Sequence, residues 1–239
     1  MFVSAVILAA GMSHRMGSKI NKQFILIGGK PILAHTIEKF EDSSLISEIV
    51  VVGRRNELEF IRKEIVKKYG FKKVSSVVPG GNERHNSAFN GFLSVSERCE
   101  IILSHDGARP FVSGEIIDRV VKKTELCGAA VAGVKAKDTV KFVKDGVVMK
   151  TPDRSLIWNT QTPQGFEKNL LLRAYHNALS REITETDDAS IVENYGHSVV
   201  MVMGAYENIK ITTPDDVLLG EALHFFRENS NGRSTMKNA

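Results

Sequence analysis

Small and cationic residues follow the first apolar segment of the chain. Residues 9–16 read AAGMSHRM, and Lys22 and Gln23 come before the next apolar segment. Small residues let backbone N–H groups approach a phosphate closely, and Arg15 and Lys22 would add cationic donors for a polyphosphate. The segment matches neither the Walker loop nor the GxGxxG dinucleotide fingerprint. The residues alone leave two interpretations open, a phosphate-binding loop and a plain surface turn.

Asp106 is the second candidate for chemistry. It follows the apolar residues 101–104, and ligands of open α/β sheets bind at the carboxyl ends of the strands. A carboxylate there can hold Mg²⁺ directly or through water, or bind a hydroxyl. The alternative is a turn or N-cap aspartate, and we expect Arg109 to act mainly as a structural ion-pair partner. For Asp187 and Asp188, adjacent side chains point apart, so helix capping is favoured over a metal pair.

The elements that must position these residues alternate between two patterns. We predict helices from Pro31 to Phe40, over 58–70, 87–95 and 115–126, and from Pro214 to about Arg227. Short, almost wholly apolar strands are predicted at 5–10, 49–52, 101–104, 129–134 and 198–203. Alternating apolar strands and amphipathic helices indicate an α/β protein with an open, mostly parallel twisted sheet and helices on both faces.

Residues 135–160 interrupt this alternation. Two short β-like segments, 139–143 and 147–151, flank Lys144-Asp145-Gly146, in which Asp-Gly is a hairpin signal. Two interpretations remain open for this arm: a plain surface hairpin, and a protruding β-hairpin that packs on a second subunit and completes its site.

Composition excludes several classes of protein. The 239 residues are 42% apolar and 25% charged, which is typical of a globular domain and excludes a mainly disordered chain. The net charge of +4 is mild, and the 7% of aromatic residues and dispersed basic residues argue against nucleic-acid binding. A site for a small anionic ligand fits this charge balance at least as well.

The sequence also predicts a location. No apolar run approaches the ~20 residues of a membrane span, and the N-terminus lacks the features of a signal peptide. Cys99 and Cys127 fit no metal-ligand spacing and are expected to be buried thiols. We therefore expect a cytoplasmic protein without a membrane partner.

Seven further polar segments occur in order after the AAG…RM…KQ loop. They are GGNERHNS (80–87), HDGARPF (105–111), KDTVK (137–141), TPDR (151–154), QTPQ (161–164), TDDA (186–189) and ENIKITTP (207–214). Together they resemble the 2-C-methyl-D-erythritol 4-phosphate cytidylyltransferases of non-mevalonate isoprenoid synthesis, over residues 3–227. The resemblance implies a Rossmann-like nucleotidyltransferase domain over 1–228, with the arm at about 135–160. Residues 229–239 are expected to form a disordered tail.

The resemblance also implies an activity and partners. CTP and a polyol phosphate would react in the presence of Mg²⁺, or another divalent cation, to release pyrophosphate. The chain would form a homodimer through the arm. A close relative that uses ribitol 5-phosphate is the first alternative. A non-catalytic nucleotide-binding regulator on the same fold is a remoter one, disfavoured because Arg15, Lys22, Asp106 and Lys210 are all present.

Roles for individual residues follow from the same resemblance. The implied catalytic residues are Arg15, Lys22, Lys210 and Arg154. The implied nucleotide-binding residues are Ala9, Ala10, Gly11, Gly80, Gly81, Asn82, Arg84, Ser87, Asp106 and Gly107. The implied substrate-binding residues are Thr139, Arg154, Thr162, Thr186, Lys210 and Thr212, and Asp106 is the implied metal ligand.

Purely structural roles remain open as alternatives for several of these residues. The Gly80-Gly81 pair could be a tight turn, Ser87 a helix-start residue, Arg154 a surface charge, and Thr162 and Thr186 turn or cap residues. Asn82 stands where the family often has aspartate, and Gly107 where many members have alanine.

Overall fold

A seven-stranded sheet with helices on both faces forms the body of the protein. In the computed structural model, residues 1–11, 21–183 and 185–235 are described, with the backbone alone for 230–235. The strands of the sheet are β1 (Val3–Leu8), β4 (Glu48–Gly53), β5 (Val74–Pro79), β6 (Ile101–Asp106), β7 (Ala129–Lys135), β10 (Trp158–Glu167) and β11 (Val200–Met203). Their order is β11-β7-β10-β6-β1-β4-β5.

All strand pairs of this sheet are parallel except those made by β10. That strand runs antiparallel between β6 and β7. The predicted α/β class and mostly parallel sheet are therefore confirmed. Strands β5 and β10 and the short hairpin of β2 (Leu26–Ile27) and β3 (Lys30–Pro31) were not predicted.

In the described parts of the chain, seven α-helices accompany the strands. They are α1 (Ile32–Glu41), α2 (Leu58–Phe60, continued by π-helical turns over Ile61–Lys67), α3 (Arg84–Phe92), α4 (Gly114–Cys127), α5 (Lys168–Ser180), α6 (Asp188–Asn194) and α7 (Pro214–Thr235). Helix α5 was not predicted, and α6 was expected only in that Asp187 and Asp188 were predicted to cap a helix. Helix α7 continues past the predicted end near Arg227, and the expectation of a disordered tail stays a prediction for 236–239, which lie outside the described residues.

The two faces of the sheet carry separate apolar clusters. On one face, α1, α4 and the π-helical segment pack through residues such as Leu33, Phe40, Ile61 and Ile117. On the other face, α3, α5 and α6 pack through Phe92, Tyr175, Ile191 and others. The prediction of helices on both faces is thus confirmed. Because both faces of the sheet are covered, the central strands β1 and β4 are apolar almost throughout.

The start of α7 confirms a local prediction. The Asp216 carboxylate accepts hydrogen bonds from the backbone N–H groups of Thr212 and Thr213, each at 2.8 Å, and Thr213 Oγ1 lies 3.4 Å from the Asp216 backbone nitrogen. Thr213 and Asp216 thus form a capping box around Pro214, the predicted first residue of the helix. Asp187 likewise caps α6, accepting from the Ser190 backbone N–H at 2.9 Å.

The arm is a separate antiparallel hairpin of β8 (Phe142–Lys144) and β9 (Val147–Lys150). Asp145 and Gly146 have positive φ, as the predicted Asp-Gly turn requires. Every residue of both strands is exposed.

Both cysteines of the chain are free thiols. Cys99 is buried as predicted, but Cys127 is half-buried because it lies in the last turn of α4. Within the described ranges, no helix is both long and apolar enough to cross a membrane.

Candidate functional site

A deep cleft lies at the carboxyl ends of β1, β4, β5 and β6. Its volume is about 1160 Å³, which is large enough for a nucleotide together with a second substrate. Lys22, Arg54, Arg55, Arg84 and Lys210 supply its positive charge, and Asp106 and Glu83 its negative charge. An excess of cations in a cleft at this edge of an α/β sheet is suited to a polyanionic ligand.

The wall beside β5 is a compact glycine-rich turn held by Ser87. The Ser87 hydroxyl accepts a hydrogen bond from the Gly81 N–H at 3.0 Å and donates to the Glu83 carbonyl at 3.0 Å. A Cβ on Gly80 would lie 2.5 Å from the Ala10 Cβ and 2.8 Å from the Ser87 Oγ, so this position requires glycine. The expected nucleotide-binding residues of β1 and of this turn therefore meet across one narrow gap.

Asp106 forms the charged centre of the cleft. Lys210 Nζ lies 2.9 Å and Arg109 Nε 3.4 Å from its Oδ2 atom. Burial opposes ionisation, but Lys210, Arg109 and, more weakly, Arg84 outweigh it and hold the pKa of Asp106 well below its usual range. The carboxylate is therefore charged at neutral pH. Its ion pair with Lys210 holds that residue, which lies near the C-terminal end of the sequence, at the centre of the cleft.

Arg109 ties this centre to the segment that carries Lys210. Its NH1 group donates to the Asn208 carbonyl at 2.8 Å while Nε faces Asp106. These contacts agree with the expectation that Arg109 is an ion-pair partner.

Thr162 supports Asp106 from behind instead of facing the cleft. Its side chain is buried, its hydroxyl accepts from the Asp106 backbone N–H at 3.1 Å, and it lies 3.0 Å from His105 Nδ1. His105 is fully buried against Phe40, with ring centroids 4.8 Å apart, and burial lowers the pKa of His105 to about 3. His105 is therefore a packing residue, whereas substrate contact by Thr162 stays a prediction.

Arg84 lines the cleft with its guanidinium already engaged. NH1 and NH2 donate to the two carboxylate oxygens of Asp188 at 2.8 and 3.1 Å. Asp188 is fully buried at the start of α6, so it is a structural counter-ion and not a metal ligand in an exposed aspartate pair.

Sequence analysis missed several residues of the cleft. Arg54, Arg55 and Asn56 line it directly after β4, and Gln23, Asn86 and Asn90 contribute further polar groups. The available signal was the Arg-Arg-Asn sequence immediately after a buried strand, because the carboxyl ends of parallel strands share one edge.

The remaining predicted residues take different places. Lys22, Ala10, Gly11 and Asn82 line the cleft, whereas Ala9 is buried beneath it. At Gly107, a Cβ would lie 3.1 Å from Gln23 Oε1 and from the Leu8 carbonyl oxygen, so the backbone is close-packed there. Arg15 lies outside the described residues.

Thr139, Thr186, Thr212 and Arg154 are not among the described residues that line the cleft. Thr186 is exposed before α6, and the Thr212 hydroxyl donates to Asp216 at 2.8 Å. Thr139 and Arg154 lie on the arm and not among the described lining residues of their own chain's cleft. Arg154 NH1 donates to the Lys137 carbonyl at 2.9 Å, which folds the base of the arm on itself.

The donors available to a metal ion are few. Among the described residues, no three His, Cys, Asp or Glu side chains gather into a cluster. Asp106 is the carboxylate that faces the cleft beside Lys210. This donor set fits Mg²⁺, which is commonly bound through one or two carboxylates and the phosphates of a substrate.

Comparison with known proteins gives a consistent result. The family model of 2-C-methyl-D-erythritol 4-phosphate cytidylyltransferase matches residues 3–224. The enzyme of that name from Clostridium acetobutylicum is 49% identical over 220 residues, covering 92% of this chain and 96% of the relative. That from Alkaliphilus oremlandii is 45% identical over 221 residues, covering 92% and 94%.

A solved structure supports the same relationship. The crystal structure of 4-diphosphocytidyl-2C-methyl-D-erythritol synthase from Anaerococcus prevotii superposes with a TM-score of 0.82 at 35% identity, covering 93% of this chain and 95% of the other. The chain therefore belongs to the 2-C-methyl-D-erythritol 4-phosphate cytidylyltransferase family.

Proposed function

We propose that this protein transfers the cytidylyl group of CTP to 2-C-methyl-D-erythritol 4-phosphate, yielding 4-diphosphocytidyl-2-C-methyl-D-erythritol and pyrophosphate for isoprenoid precursor synthesis. The observation that carries the proposal is the cationic cleft centred on the Asp106–Lys210 pair in a chain of this family. An oxygen of the acceptor phosphate forms a bond to the α-phosphorus of CTP. The bond from that phosphorus to the bridging oxygen of the β-phosphate breaks, and pyrophosphate leaves with the electron pair.

Catalysis of this step needs alignment and charge neutralisation more than covalent chemistry. Two anionic phosphates must approach each other, so fixed cations on the cleft wall lower the barrier. Lys22 is the proposed cation at the β1 end, together with Arg15. Lys210 is the proposed cation for the acceptor phosphate, and its 2.9 Å contact with Asp106 fixes the position of the ammonium.

The nucleotide is proposed to bind along β1 and β5. Ala10, Gly11, Gly80 and Gly81 line this part of the cleft, and the Ser87 hydroxyl orders the turn by accepting from the Gly81 N–H. Polar groups of a buried pocket discriminate strongly among bases because an unmatched donor or acceptor is costly.

Mg²⁺ is the proposed cofactor, held by Asp106 directly or through water and by the triphosphate. When bound, it would neutralise charge on the reacting phosphates.

A homodimer formed through the arm is also proposed. The hairpin exposes apolar side chains, with Phe142 at 54%, Val147 at 64% and Met149 at 66% of full exposure. Contiguous exposed apolar side chains favour a protein interface over a solvated hairpin. Arg154 and Thr139 share this arm, so in a dimer they would contact substrate in the partner's cleft.

A cytoplasmic location is proposed as well. Two cysteines that are both free support it, because thiols stay reduced in that compartment.

The proposal is tested by measuring pyrophosphate release with CTP and Mg²⁺, with methylerythritol phosphate and ribitol 5-phosphate in separate reactions. We expect release with methylerythritol phosphate alone, and a cytidine diphosphate adduct of matching mass. Release with ribitol 5-phosphate alone would keep the site and replace the substrate. CTP binding without release in either reaction would overturn the enzymatic function in favour of a regulator.

A further inference from the structure

Arg84 and Asp188 form an ion pair that crosses the wall of the cleft. The Arg84 side chain is 32% exposed and faces the cleft, whereas the Asp188 side chain is fully buried behind it. The pair is bidentate, with contacts of 2.8 and 3.1 Å. Two of the five N–H donors of the guanidinium are thereby used, and its plane is fixed relative to the cleft.

Tyr175 extends this contact into the apolar core. Its hydroxyl donates to Asp188 Oδ1 at 2.6 Å. Its ring stacks on Phe89 at a centroid distance of 5.5 Å and meets Phe92 edge-on at 5.2 Å. Because both phenylalanines lie on α3, the helix that Arg84 begins, one connected group joins the first and last turns of α3 to α5 and α6.

The position of Asp188 is itself fixed by neighbouring hydrogen bonds. The Gln164 side chain on β10 accepts from the Ala189 N–H at 3.0 Å and donates to Asp187 at 2.8 Å. Asp187 caps α6 through the Ser190 N–H. The start of α6, which carries Asp188, is thus tied to β10 of the sheet on both sides of that residue.

The position of Arg84 affects the ionisation of two carboxylates. Burial alone would raise the pKa of Asp188, yet its pKa is lowered because Arg84 and Tyr175 stabilise the anion. Arg84 also contributes to lowering the pKa of Asp106. The guanidinium therefore interacts with two carboxylates, one behind the wall and one in the catalytic centre.

We propose that Asp188, assisted by Tyr175, is a positioning residue for CTP binding that holds Arg84 and the first turn of α3 in place. Ser87, which organises the Gly80-Gly81 turn, lies on that same turn of α3. Without the Asp188 charge, Arg84 is drawn towards Asp106, and the wall that receives the nucleotide loses its fixed shape. This inference rests on the proposed function, because it assumes that CTP occupies the cleft.

The central test is the Asp188→Asn variant, which keeps the side-chain shape and removes its charge. The dissociation constant for CTP with Mg²⁺ is measured by calorimetry without acceptor, followed by steady-state kinetics with both substrates. We expect CTP affinity to fall about tenfold or more, as is common when the partner of a binding group is lost. The kcat at saturating CTP and the KM for acceptor should stay within about twofold of the wild type.

Two further variants separate positioning from a merely structural role. If Asp188 acts through Arg84, the double variant Arg84→Gln/Asp188→Asn should bind CTP no more weakly than Arg84→Gln alone; additive losses would contradict this. Tyr175→Phe keeps the ion pair and should weaken CTP binding by a smaller factor, about threefold. If Asp188→Asn fails to fold, Tyr175→Phe becomes the deciding variant. Unchanged CTP affinity in Tyr175→Phe would then overturn the proposal.

Glu167→Gln is the matched control. Glu167 caps α5 by accepting from the Asn169 and Leu170 N–H groups, away from the cleft. This variant should lose stability without losing CTP affinity. A folded Asp188→Asn variant with wild-type CTP affinity would overturn the inference and leave the function untouched. Wild-type protein that binds CTP but releases no pyrophosphate with methylerythritol phosphate would overturn the proposed function instead.

Discussion

The cleft and the arm differ in which side chains they bury and which they expose. Asp106 in the cleft and Asp188 behind its wall are buried, and each is neutralised by cations of its own chain. On the arm, apolar side chains such as Val147 and Met149 are exposed to solvent. Buried charges with internal partners indicate a region completed by the single chain, whereas exposed apolar groups indicate a region that needs another surface. Substitutions in the cleft should therefore alter chemistry, and substitutions on the arm should alter assembly.

The largest effect is expected in the cleft from Lys22→Ala. Removing this cation from the triphosphate end should reduce turnover by several orders of magnitude, about 10³-fold or more, with the fold intact. Pyrophosphate release and far-UV circular dichroism check this. Lys122→Ala, on an exposed position of α4, is the matched control and should be neutral. A folded Lys22→Ala variant with full activity would remove Lys22 from the mechanism.

Lys210→Ala should have the next largest effect. Asp106 would retain Arg109, so the fold should survive, but the acceptor phosphate would lose its cation. We expect kcat/KM for the acceptor to fall about 10²- to 10³-fold, measured by initial rates at saturating CTP. An equal loss of CTP affinity, with no further effect on the acceptor, would show that Lys210 serves the nucleotide.

Arg154→Ala sharpens the comparison between cleft and arm, because this residue lies on the arm but is proposed to bind the acceptor phosphate. Loss of one cation on the acceptor phosphate should raise the KM for acceptor about 10-fold or more and leave CTP affinity unchanged. Initial rates with each substrate varied in turn measure both effects. Equal damage to both substrates would argue against the assigned role.

Val147→Asp on the arm should change assembly. A charge in an apolar interface is costly, so the dimer should dissociate at concentrations where the wild type is dimeric, as seen by sedimentation velocity. The free energy of unfolding of the monomer should change by only about 0.5 kcal/mol, because Val147 is 64% exposed within its own chain. Wild-type protein that sediments as a monomer would contradict the arm-mediated dimer.

The smallest effect concerns acid. The pKa of Asp188 is lowered in the folded protein from its ordinary value of 3.8, so its contribution to stability is present above that pH and is lost as pH falls through the folded pKa. The difference in unfolding free energy between wild type and Asp188→Asn should therefore shrink as pH falls below 3.8. Urea unfolding at pH 7 and at two lower pH values measures it. A difference that stays constant would mean that the pair is not ionised as described.

Elements with strong local patterns could be predicted from the sequence. Strands β1, β4, β6 and β7 are apolar runs between helical patterns, and the arm turn carries Asp-Gly. The cap of α6 followed from the Asp187-Asp188 pair, and the start of α7 from Pro214. In each case, the information lies within a few neighbouring residues.

The missed elements lacked such local signals. Strand β10 contains Gln161, Pro163 and Gly165, which favour loops, and its register shifts between Thr160 and Gln164. It is a strand because it fills the gap between β6 and β7 and pairs with both. That pairing is a tertiary requirement which overrides local propensity.

The site shows the same division. The sequence by itself determined the residue types of the cleft, the parallel sheet that gathers Lys22, Gly80 and Asp106 at one edge, and the family. Only the tertiary structure decided that Arg84 pairs with Asp188, 104 positions away, and that Lys210 reaches Asp106. Which charges neutralise one another depends on distance and burial in three dimensions, and neither is encoded in the spacing of residues along the chain.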